Sequence, residues 1–311
     1  MKIVIPTHEK DIHKLSPCLE SLLKNMRIIG GGSRKIEKIS YENIVVIANN
    51  KIRDIVESIN NRIIFIDEDN LINGLDTTKI KNCIDNKGIN YAWYFQQFLK
   101  MAYAFICKEE FYLVWDSDSL LIRELLIDLQ NPFLNALPHS IDSNHPYINT
   151  MHELLNITRK CKYQFMCEFM LFKKSIMLDL ISKLGGKEFY IPILNKAISN
   201  PNKYSFSEFE TYARFSLSTN IYELKYYPVY RCGGRFFDSI PRLDNELIKK
   251  FSKTYYTIQF NHWDRKVKFA KILENKILMS IFGFKNIMRI YYYFGFYKRD
   301  TKYLKTTKFK D

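Results

Sequence analysis

The sequence contains no run of eighteen uninterrupted apolar residues, so it predicts no membrane-spanning helix. Glycine (11) and proline (9) are scarce, which argues against a collagen-like chain or one built of flexible linkers. None of the six cysteines forms a CxxC pair, and no Cys/His cluster surrounds Cys161 and Cys167. This spacing argues against a zinc site, and the chain is too large to need a disulfide framework, so we expect reduced core thiols in a cytosolic protein.

The chain has 311 residues, of which 47% are hydrophobic, enough for one large domain or two small ones with a substantial core. The opening decapeptide MKIVIPTHEK predicts no signal peptide, because its apolar stretch is short and charge follows at once. The formal net charge is +14, and most of the excess lies in residues 265–311, with thirteen Lys or Arg against three acids.

The first part of the chain alternates predicted strands and helices. Short apolar runs predict strands at KIVIP (2–6), NIVVIAN (43–49), RIIFIDED (62–69) and the start of FYLVWDSDSL (111–120). Helical spacing predicts helices at SPCLESLLKNM (16–26) and NYAWYFQQFLKMAYAFIC (90–107). Ser16 is the predicted N-cap of the first helix, with Pro17 at its first helical position.

The rest of the chain continues this mixed pattern. Strands are predicted in QFMCEFMLFKK (164–174), YELKYYPVYRCGGRFF (222–237) and YYTIQFNHWDRK (255–266). SFSEFETYARFSL (205–217) predicts a helix that opens with a capping box between Ser207 and Glu210.

This pattern predicts an α/β fold with a mainly parallel sheet covered by helices on both faces. Ligands of such sheets bind beyond the carboxyl ends of the strands. Three polar groups follow predicted strands: Pro6-Thr7-His8, Asn49-Asn50 and Asp116-Ser117-Asp118. If the strands are parallel, these groups meet at one edge of the sheet.

Asp116 and Asp118 have two interpretations. An Asp-Ser-Asp turn commonly ends a strand at the solvent, and the tripeptide alone favours that interpretation. Two carboxylates at a sheet edge also suit Mg²⁺ or Mn²⁺, which prefer oxygen ligands and leave positions open for substrate phosphates. The apolar run before the pair and the convergence of strand ends favour the metal site.

An ordered set of segments resembles a bacterial family of GT-A type glycosyltransferases. The set is KIVIPTHEKD, NYAWYFQQFLKMAYA, FYLVWDSDSL, HPYINTMHELL, QFMCEFMLFKK and SFSEFETYA, and the resemblance runs from residue 1 to about residue 263. Many members of that family are described only as domains of unknown function, near genes for surface polysaccharide. The resemblance implies a GT-A (Rossmann-like) fold, a nucleotide-sugar donor, a divalent metal (Mn²⁺ or Mg²⁺) and a glycan acceptor.

The resemblance also implies residue roles on the donor side. The family's metal motif falls on Asp116 and Asp118, with Trp115 and Asp116 near the donor. His262 falls at the position of a third metal ligand; the alternative is a surface histidine before Trp263. The first loop would contact the base and ribose, and Pro6, Thr7 and Lys10 are the candidates there. Asn49 follows the second strand as a further donor-binding candidate.

The long helix supplies further donor-binding candidates in Gln96, Gln97 and Lys100. Gln96 and Lys100 are four residues apart and share a predicted face. Lys100 would neutralise a phosphate; the alternative is an ion pair with one of the acids at 67–69.

Inverting transfer needs a carboxylate base near the acceptor hydroxyl. The capping box gives Glu210 a structural part, which leaves Glu208 as the candidate base, although acids are ordinary in a first helical turn. Glu168, inside a predicted apolar strand, is its rival and a candidate for acceptor binding. His145 and Tyr147 lie in a loop that would also face the acceptor.

The sequence thus predicts a GT-A domain at 1–264 and a basic aromatic segment at 265–311. In the segment, Ile272, Leu273, Ile277 and Ile281 form an apolar stripe at helical spacing, which suits an anionic membrane surface. The alternative is a C-terminal helix packed on the domain. We expect a metal-dependent, inverting glycosyltransferase at the inner membrane, acting on a glycan or lipid-linked glycan of lipooligosaccharide, lipopolysaccharide or capsule type. The competing hypothesis is a non-catalytic basic protein that binds membranes or nucleic acid; no nucleic-acid motif is present.

Overall fold

The computed structural model describes residues 1–30, 35–84, 87–138, 141–157, 162–200, 204–219, 222–231, 233, 245–261, 277, 278, 280–283 and 286. Its strands are β1 (Lys2–Pro6), β2 (Met26–Ile29), β3 (Ile36–Lys38), β4 (Ile44–Ala48), β5 (Ile64–Asp67), β6 (Phe111–Trp115), β7 (Ser119–Leu121), β8 (Leu125–Asp128), β9 (Phe133–Asn135), β10 (Phe169–Lys173), β11 (Glu223–Lys225), β12 (Val229–Tyr230) and β13 (Thr257–Gln259). Its helices are α1 (Ile12–Asn25), α2 (Arg53–Ile59), α3 (Thr77–Ile84), α4 (Tyr91–Ala102), α5 (Pro146–Leu155), α6 (Lys174–Lys183), α7 (Tyr190–Ser199), α8 (Glu208–Thr219) and α9 (Asn245–Phe251).

The central sheet has five strands in the order β10-β6-β1-β4-β5. Strands β6, β1, β4 and β5 are parallel, and β10 pairs antiparallel with β6. Every residue of β4 and of β6 is buried. The chain therefore has the predicted mixed α/β architecture with a mainly parallel sheet.

Alternate residues of these strands enter two separate hydrophobic cores, because side chains of a strand point to opposite faces. Ile3 and Ile5 of β1 pack into a core that contains Leu15, Leu19 and Leu22 of α1. Val4 packs into the other core, whose further members come from β4, β6 and helices α4, α6 and α8. Both faces of the sheet are covered, which explains why its strands are continuously apolar.

The predicted convergence of strand ends is confirmed. Parallel register places Pro6 beside Ile47, and Val4 beside Val114, so β1, β4 and β6 end at one edge. Beyond β6 the chain turns and enters a second sheet of order β12-β13-β7. A third sheet, β3-β2-β8, and the pair β11-β9 complete the strand pairing of the described residues.

The predicted start of the first helix is wrong. Helix α1 begins at Ile12 after a single 3₁₀ turn, Glu9–Asp11, whose N-cap is His8. The imidazole Nδ1 of His8 accepts the backbone N–H of Lys10 (3.1 Å) and so caps the 3₁₀ turn, whereas the N-cap of α1 itself, Asp11, makes no side-chain capping bond. Ser16 instead donates its hydroxyl to Glu20 one turn later (3.3 Å), and Pro17 lies inside the helix.

Helix α4 matches its prediction, with Asn90 as N-cap and a 3₁₀ turn, Tyr103–Phe105, as its extension. At α8, the Ser207 hydroxyl accepts the Glu210 N–H (3.3 Å), which confirms the cap. The Glu210 carboxylate accepts instead from Phe165 N and Arg214 Nε, both at 2.7 Å. The capping box is thus only half formed, since its acid is used for tertiary contacts.

Three later strands are shorter than predicted. The strand of 164–174 is β10, and Glu168 lies just before it rather than within it. The segment 222–237 contains β11 and β12, and 255–266 contains β13. Gly233 is required where it lies: a Cβ there would approach Gln259 O and Ile258 Cγ2 to 2.7 Å.

Cys18, Cys107 and Cys167 are buried free thiols, as expected, but Cys83 is exposed on α3. Among the described residues, no helix is long and apolar enough to span a membrane. In the C-terminal segment, Ile277 and Ile281 are helical and are 69% and 67% exposed. His262, Ile272 and Leu273 lie outside the described residues.

Candidate active site

The Asp116-Ser117-Asp118 turn joins the two main sheets. Asp116 N–H donates to Glu168 O (3.0 Å), which extends the β6–β10 pairing by one residue. Phe260 N–H donates to Asp118 O (2.8 Å), which extends the β7–β13 pairing in the same way. Ser119 N–H closes the turn on Asp116 O (3.0 Å). Each aspartate is therefore held by a different sheet, and the backbone between them is fixed at both ends.

Trp115 supports this turn from inside the protein. Its indole is completely buried, stacks on Phe169 at 4.9 Å between ring centroids, and donates Nε1–H to Ser119 O (2.9 Å). The ring therefore lies inside the protein and fixes the turn through its packing and its hydrogen bond. That Trp115 lies near the donor stays a prediction, and it depends on the turn that the ring supports.

Lys100 connects the turn to helix α8. Its ammonium donates to Asp116 Oδ1 and to Glu208 Oε1, both at 2.7 Å, and lies 4.5 Å from the centre of the Phe209 ring. Lys100 and Glu208 are each 4% exposed. Burial alone would lower the pKa of Lys100, but the two carboxylates outweigh it and raise the pKa above 10.5. The ion-pair partners of Lys100 are thus Asp116 and Glu208, not the acids at 67–69.

Glu208 is held at its backbone as well as at its carboxylate. Gln97 Oε1 accepts the Glu208 N–H (3.0 Å), and Gln97 Nε2 donates to Trp93 O (3.2 Å). Gln97 and Lys100, three residues apart on α4, therefore contact the same residue of α8. Gln96, predicted to share a face with Lys100, is half-buried, and it is Gln97 that joins Lys100 in this contact.

Glu168 is the second buried acid at the turn. Arg231 Nε donates to its Oε1 (2.8 Å), and Arg231 Nη2 donates to Met166 O (2.5 Å). Glu168 is 3% exposed, whereas the Arg231 side chain is 28% exposed. Burial raises the pKa of Glu168, Arg231 opposes this, and the Asp116 carboxylate adds to it.

Asp118 faces a third group of charges. Lys14 Nζ donates to Phe260 O (3.0 Å) and pairs with Asp11 Oδ1 (2.6 Å), next to the backbone contact between Phe260 and Asp118. Burial raises the pKa of Asp118 to about 7; the Asp116 carboxylate contributes in the same direction and Lys14 opposes it. The charge of Asp118 is therefore poorly compensated by the protein around it.

The donor set at the turn fits a hard divalent cation. It consists of carboxylate oxygens, which such cations prefer, and the Asp118 carboxylate accepts a hydrogen bond from Ser119 Oγ at 3.4 Å. Within the part of the chain that the structure describes, no three His, Cys, Asp or Glu side chains are grouped closely enough to hold a metal ion. The described residues would thus supply two ligands to the cation. Its remaining coordination positions would be filled by substrate phosphates, water or residues outside the described ranges.

Comparison with protein-family models places the chain in a family. A model for a family of unknown function, DUF6492, matches residues 33–281. The chain belongs to the DUF6492 family. Comparison with curated proteins gave no match.

Solved structures similar to this DUF6492 chain include three glycosyltransferases. The bifunctional glycosyltransferase WbbM in its apo form has a TM-score of 0.47 at 13% identity, over 90% of this chain and 51% of WbbM. Galactosyltransferase LgtC in complex with donor and acceptor sugar analogues has a TM-score of 0.43 at 14% identity, over 90% of this chain and 96% of LgtC. Mouse xyloside xylosyltransferase 1 in its apo form has a TM-score of 0.41 at 10% identity, over 84% of this chain and 97% of the mouse enzyme. This chain thus spans about half the length of WbbM.

The remaining donor-side candidates of this DUF6492 chain lie at the same sheet edge. Pro6 and Thr7 are buried, and Thr7 N–H donates to Ile47 O (2.9 Å), which ties the first loop to β4. Lys10 is exposed in the 3₁₀ turn. Asn49 caps the next turn and its Nδ2 contacts Glu68 Oε1 at 3.4 Å. The structure brings these residues to one edge.

The acceptor-side candidates belong to an aromatic group beside Glu208. His145 is the N-cap of α5, and its ring meets that of Tyr147 at 4.4 Å. Tyr147 stacks on Trp93 (6.4 Å), which also meets Tyr204 edge-on (5.0 Å). Burial, with a contribution from the Glu208 carboxylate, raises the pKa of Tyr147. Tyr204 is 46% exposed, so part of the group is open to solvent.

Sequence reasoning missed Lys14 and Arg231. Lys14 lies on the buried stripe of α1 with Leu15, Cys18 and Leu22, and a charge on such a stripe signals a buried partner. Arg231 follows the short strand β12 in an aromatic stretch, and its partner Glu168 is 63 positions away. No local pattern identifies such a pair.

Proposed function

We propose that this chain is a glycosyltransferase that moves a sugar from a nucleotide-sugar donor to a glycan acceptor. The observation that carries the proposal is the Asp116-Ser117-Asp118 turn, which presents two carboxylates at the carboxyl edge of a parallel sheet, where such folds bind ligands. The ordered resemblance of the chain's segments to GT-A glycosyltransferases supports the same activity.

Asp116 and Asp118 would hold Mn²⁺ or Mg²⁺, with His262 as a further ligand candidate. When bound, such an ion supplies positive charge for the diphosphate of the donor and of the departing nucleotide. Pro6, Thr7, Lys10 and Asn49 would line the base and ribose side.

Transfer joins the acceptor oxygen to the anomeric carbon, while the bond to the nucleotide breaks and its electron pair leaves with the diphosphate. For the inverting reaction that we propose, a carboxylate takes the proton of the attacking hydroxyl. Glu168 suits this part better than Glu208, because burial raises its pKa despite Arg231, whereas the Glu208 carboxylate is bound to a buried ammonium.

A thermal-shift screen with UDP, GDP, CMP and TDP, each with and without Mn²⁺, tests this function. One nucleotide should stabilise the chain only when Mn²⁺ is present, and a ligand at a hundred times its Kd adds about 2.7 kcal/mol to the free energy of unfolding. If no nucleotide stabilises the chain, the non-catalytic alternative replaces the proposal.

We also place the reaction at the inner face of an anionic membrane, on a lipid-linked glycan. Ile277 and Ile281 are one helical turn apart and exposed, within a segment rich in Lys and Arg. The full chain should sediment with vesicles of phosphatidylglycerol and phosphatidylethanolamine, and Ile277→Ser with Ile281→Ser should weaken this binding. Ile55→Ser, which removes an isoleucine 48% exposed on α2, is the matched control.

A further inference from the structure

The Lys100 ammonium is shared between two carboxylates that have different surroundings. The Glu208 side chain is 5% exposed, and its backbone N–H is bound by Gln97. The Asp116 side chain is 21% exposed and lies on the turn with Asp118. One carboxylate is therefore a fixed structural group, and the other belongs to the proposed cation site.

The position of Lys100 leaves little freedom for its ammonium to move. Its side chain is 5% exposed, both of its carboxylate contacts are 2.7 Å, and the Phe209 ring lies 4.5 Å away. Its backbone carbonyl accepts the Tyr112 hydroxyl (3.1 Å), so the helix is anchored to β6 at the same residue. These contacts favour a fixed charge between Asp116 and Glu208 over a lysine that reaches a donor phosphate.

Charge balance gives Glu208 a specific part in this arrangement. A cation on Asp116 competes with the Lys100 ammonium for the same carboxylate. Glu208 contributes one negative charge that is already in contact with that ammonium. Without the Glu208 carboxylate, the ammonium would be paired with Asp116 alone, and its uncompensated positive charge would weaken the attraction of the turn for a divalent cation.

The geometry points to Glu208 as a positioning residue that acts through Lys100: by taking a share of the ammonium, it leaves Asp116 able to share a divalent cation with Asp118. This inference rests on the proposed function and gives Glu208 a role other than that of the base. Partners of metal-ligating carboxylates typically change metal affinity 10- to 100-fold when they are replaced.

Direct binding of Mn²⁺ to the full chain, measured by electron paramagnetic resonance without nucleotide or sugar, tests the inference. Glu208→Gln should weaken Mn²⁺ binding about tenfold. Lys100→Met combined with Glu208→Gln removes both charges and should restore affinity to within about threefold of the original chain, since the pair is neutral in both.

Glu210→Gln is the matched control, because Glu210 is fully buried two residues away and is ion-paired with Arg214 instead. It should lower the melting temperature yet leave Mn²⁺ affinity within about twofold. Circular dichroism of each variant establishes that it is folded at the assay temperature.

The inference is overturned if Glu208→Gln binds Mn²⁺ as the original chain does, or if the double variant stays as weak as the single one. A Glu208→Gln variant with a large fall in kcat and unchanged Mn²⁺ affinity would make Glu208 the base instead. If the original chain binds neither Mn²⁺ nor any nucleotide diphosphate, the proposed function itself fails, and the inference with it.

Discussion

Replacing Lys100 by methionine should strongly destabilise the fold. Methionine has a similar length but no charge, so Asp116 and Glu208 would remain without the ammonium that both now contact at 2.7 Å. Two oxygens that are each 2.7 Å from one nitrogen lie no more than about 5 Å apart, and two unit charges at that distance repel by about 3 kcal/mol at an effective dielectric constant of about 20. Breaking a buried ion pair from one side typically costs about 3–5 kcal/mol.

Urea denaturation followed by circular dichroism measures this cost, and we expect a loss of about 3–5 kcal/mol for Lys100→Met. Glu208→Gln in the same background should recover most of the loss, because it removes one of the two repelling charges. Because the pKa of Lys100 is raised, Lys100 contributes to the free energy of unfolding at pH values below its ordinary pKa of 10.5. This contribution is lost only as pH rises through the higher pKa of the folded state. A loss below about 1 kcal/mol, or a double variant less stable than Lys100→Met, would refute this account of the network.

Three further predictions concern single residues. Burial raises the pKa of Glu68 from 4.5 to about 7, so the free energy of unfolding should fall as pH rises through that interval. Melting curves of Glu68→Gln recorded across the same pH interval should lack this fall, and an equal pH dependence in the variant would contradict the prediction. Gly233→Ala should cost about 1–3 kcal/mol, because its Cβ would meet Gln259 O at 2.7 Å, and an unchanged urea midpoint would show that the backbone yields freely. Ser207→Ala should cost about 1 kcal/mol through loss of the α8 cap, measured in the same way, and a neutral result would remove the cap from the account.

The sheet and its ligand-binding edge could be predicted because they depend on local patterns. Runs such as KIVIP and FYLVW are apolar at every position, which identifies strands covered on both faces, and parallel pairing then fixes where their ends meet. The start of α1 could not be predicted from the usual caps. Helix α1 continues a 3₁₀ turn that the imidazole of His8 caps, and its own N-cap, Asp11, makes no side-chain capping bond.

The charge network could not be predicted, since its partners are distant in sequence. Lys100 and Glu208 are 108 positions apart, and Glu168 and Arg231 are 63 apart. The sequence indicated that Glu168 needed a partner or a function, because charges in apolar surroundings are rarely unpaired, and it gave Lys100 an ion pair as one alternative. The packing of α4 against α8 and against the end of β6 makes Asp116 and Glu208 the partners of Lys100. Lys100 and Glu208 are therefore interpreted as an ion pair rather than as a phosphate ligand and a base.

The most direct test of the central claim compares Asp118→Asn with Asp128→Asn. Both changes remove one carboxylate at a turn, but Asp128 is hydrogen-bonded to Gln130 and Asn131 in a surface turn after β8. Mn²⁺-dependent binding of the nucleotide diphosphate found in the screen, measured by isothermal titration calorimetry, should fall at least about a hundredfold in Asp118→Asn. It should be unchanged in Asp128→Asn. Full Mn²⁺-dependent nucleotide binding and sugar transfer by Asp118→Asn would contradict the claim that this turn holds the donor's cation.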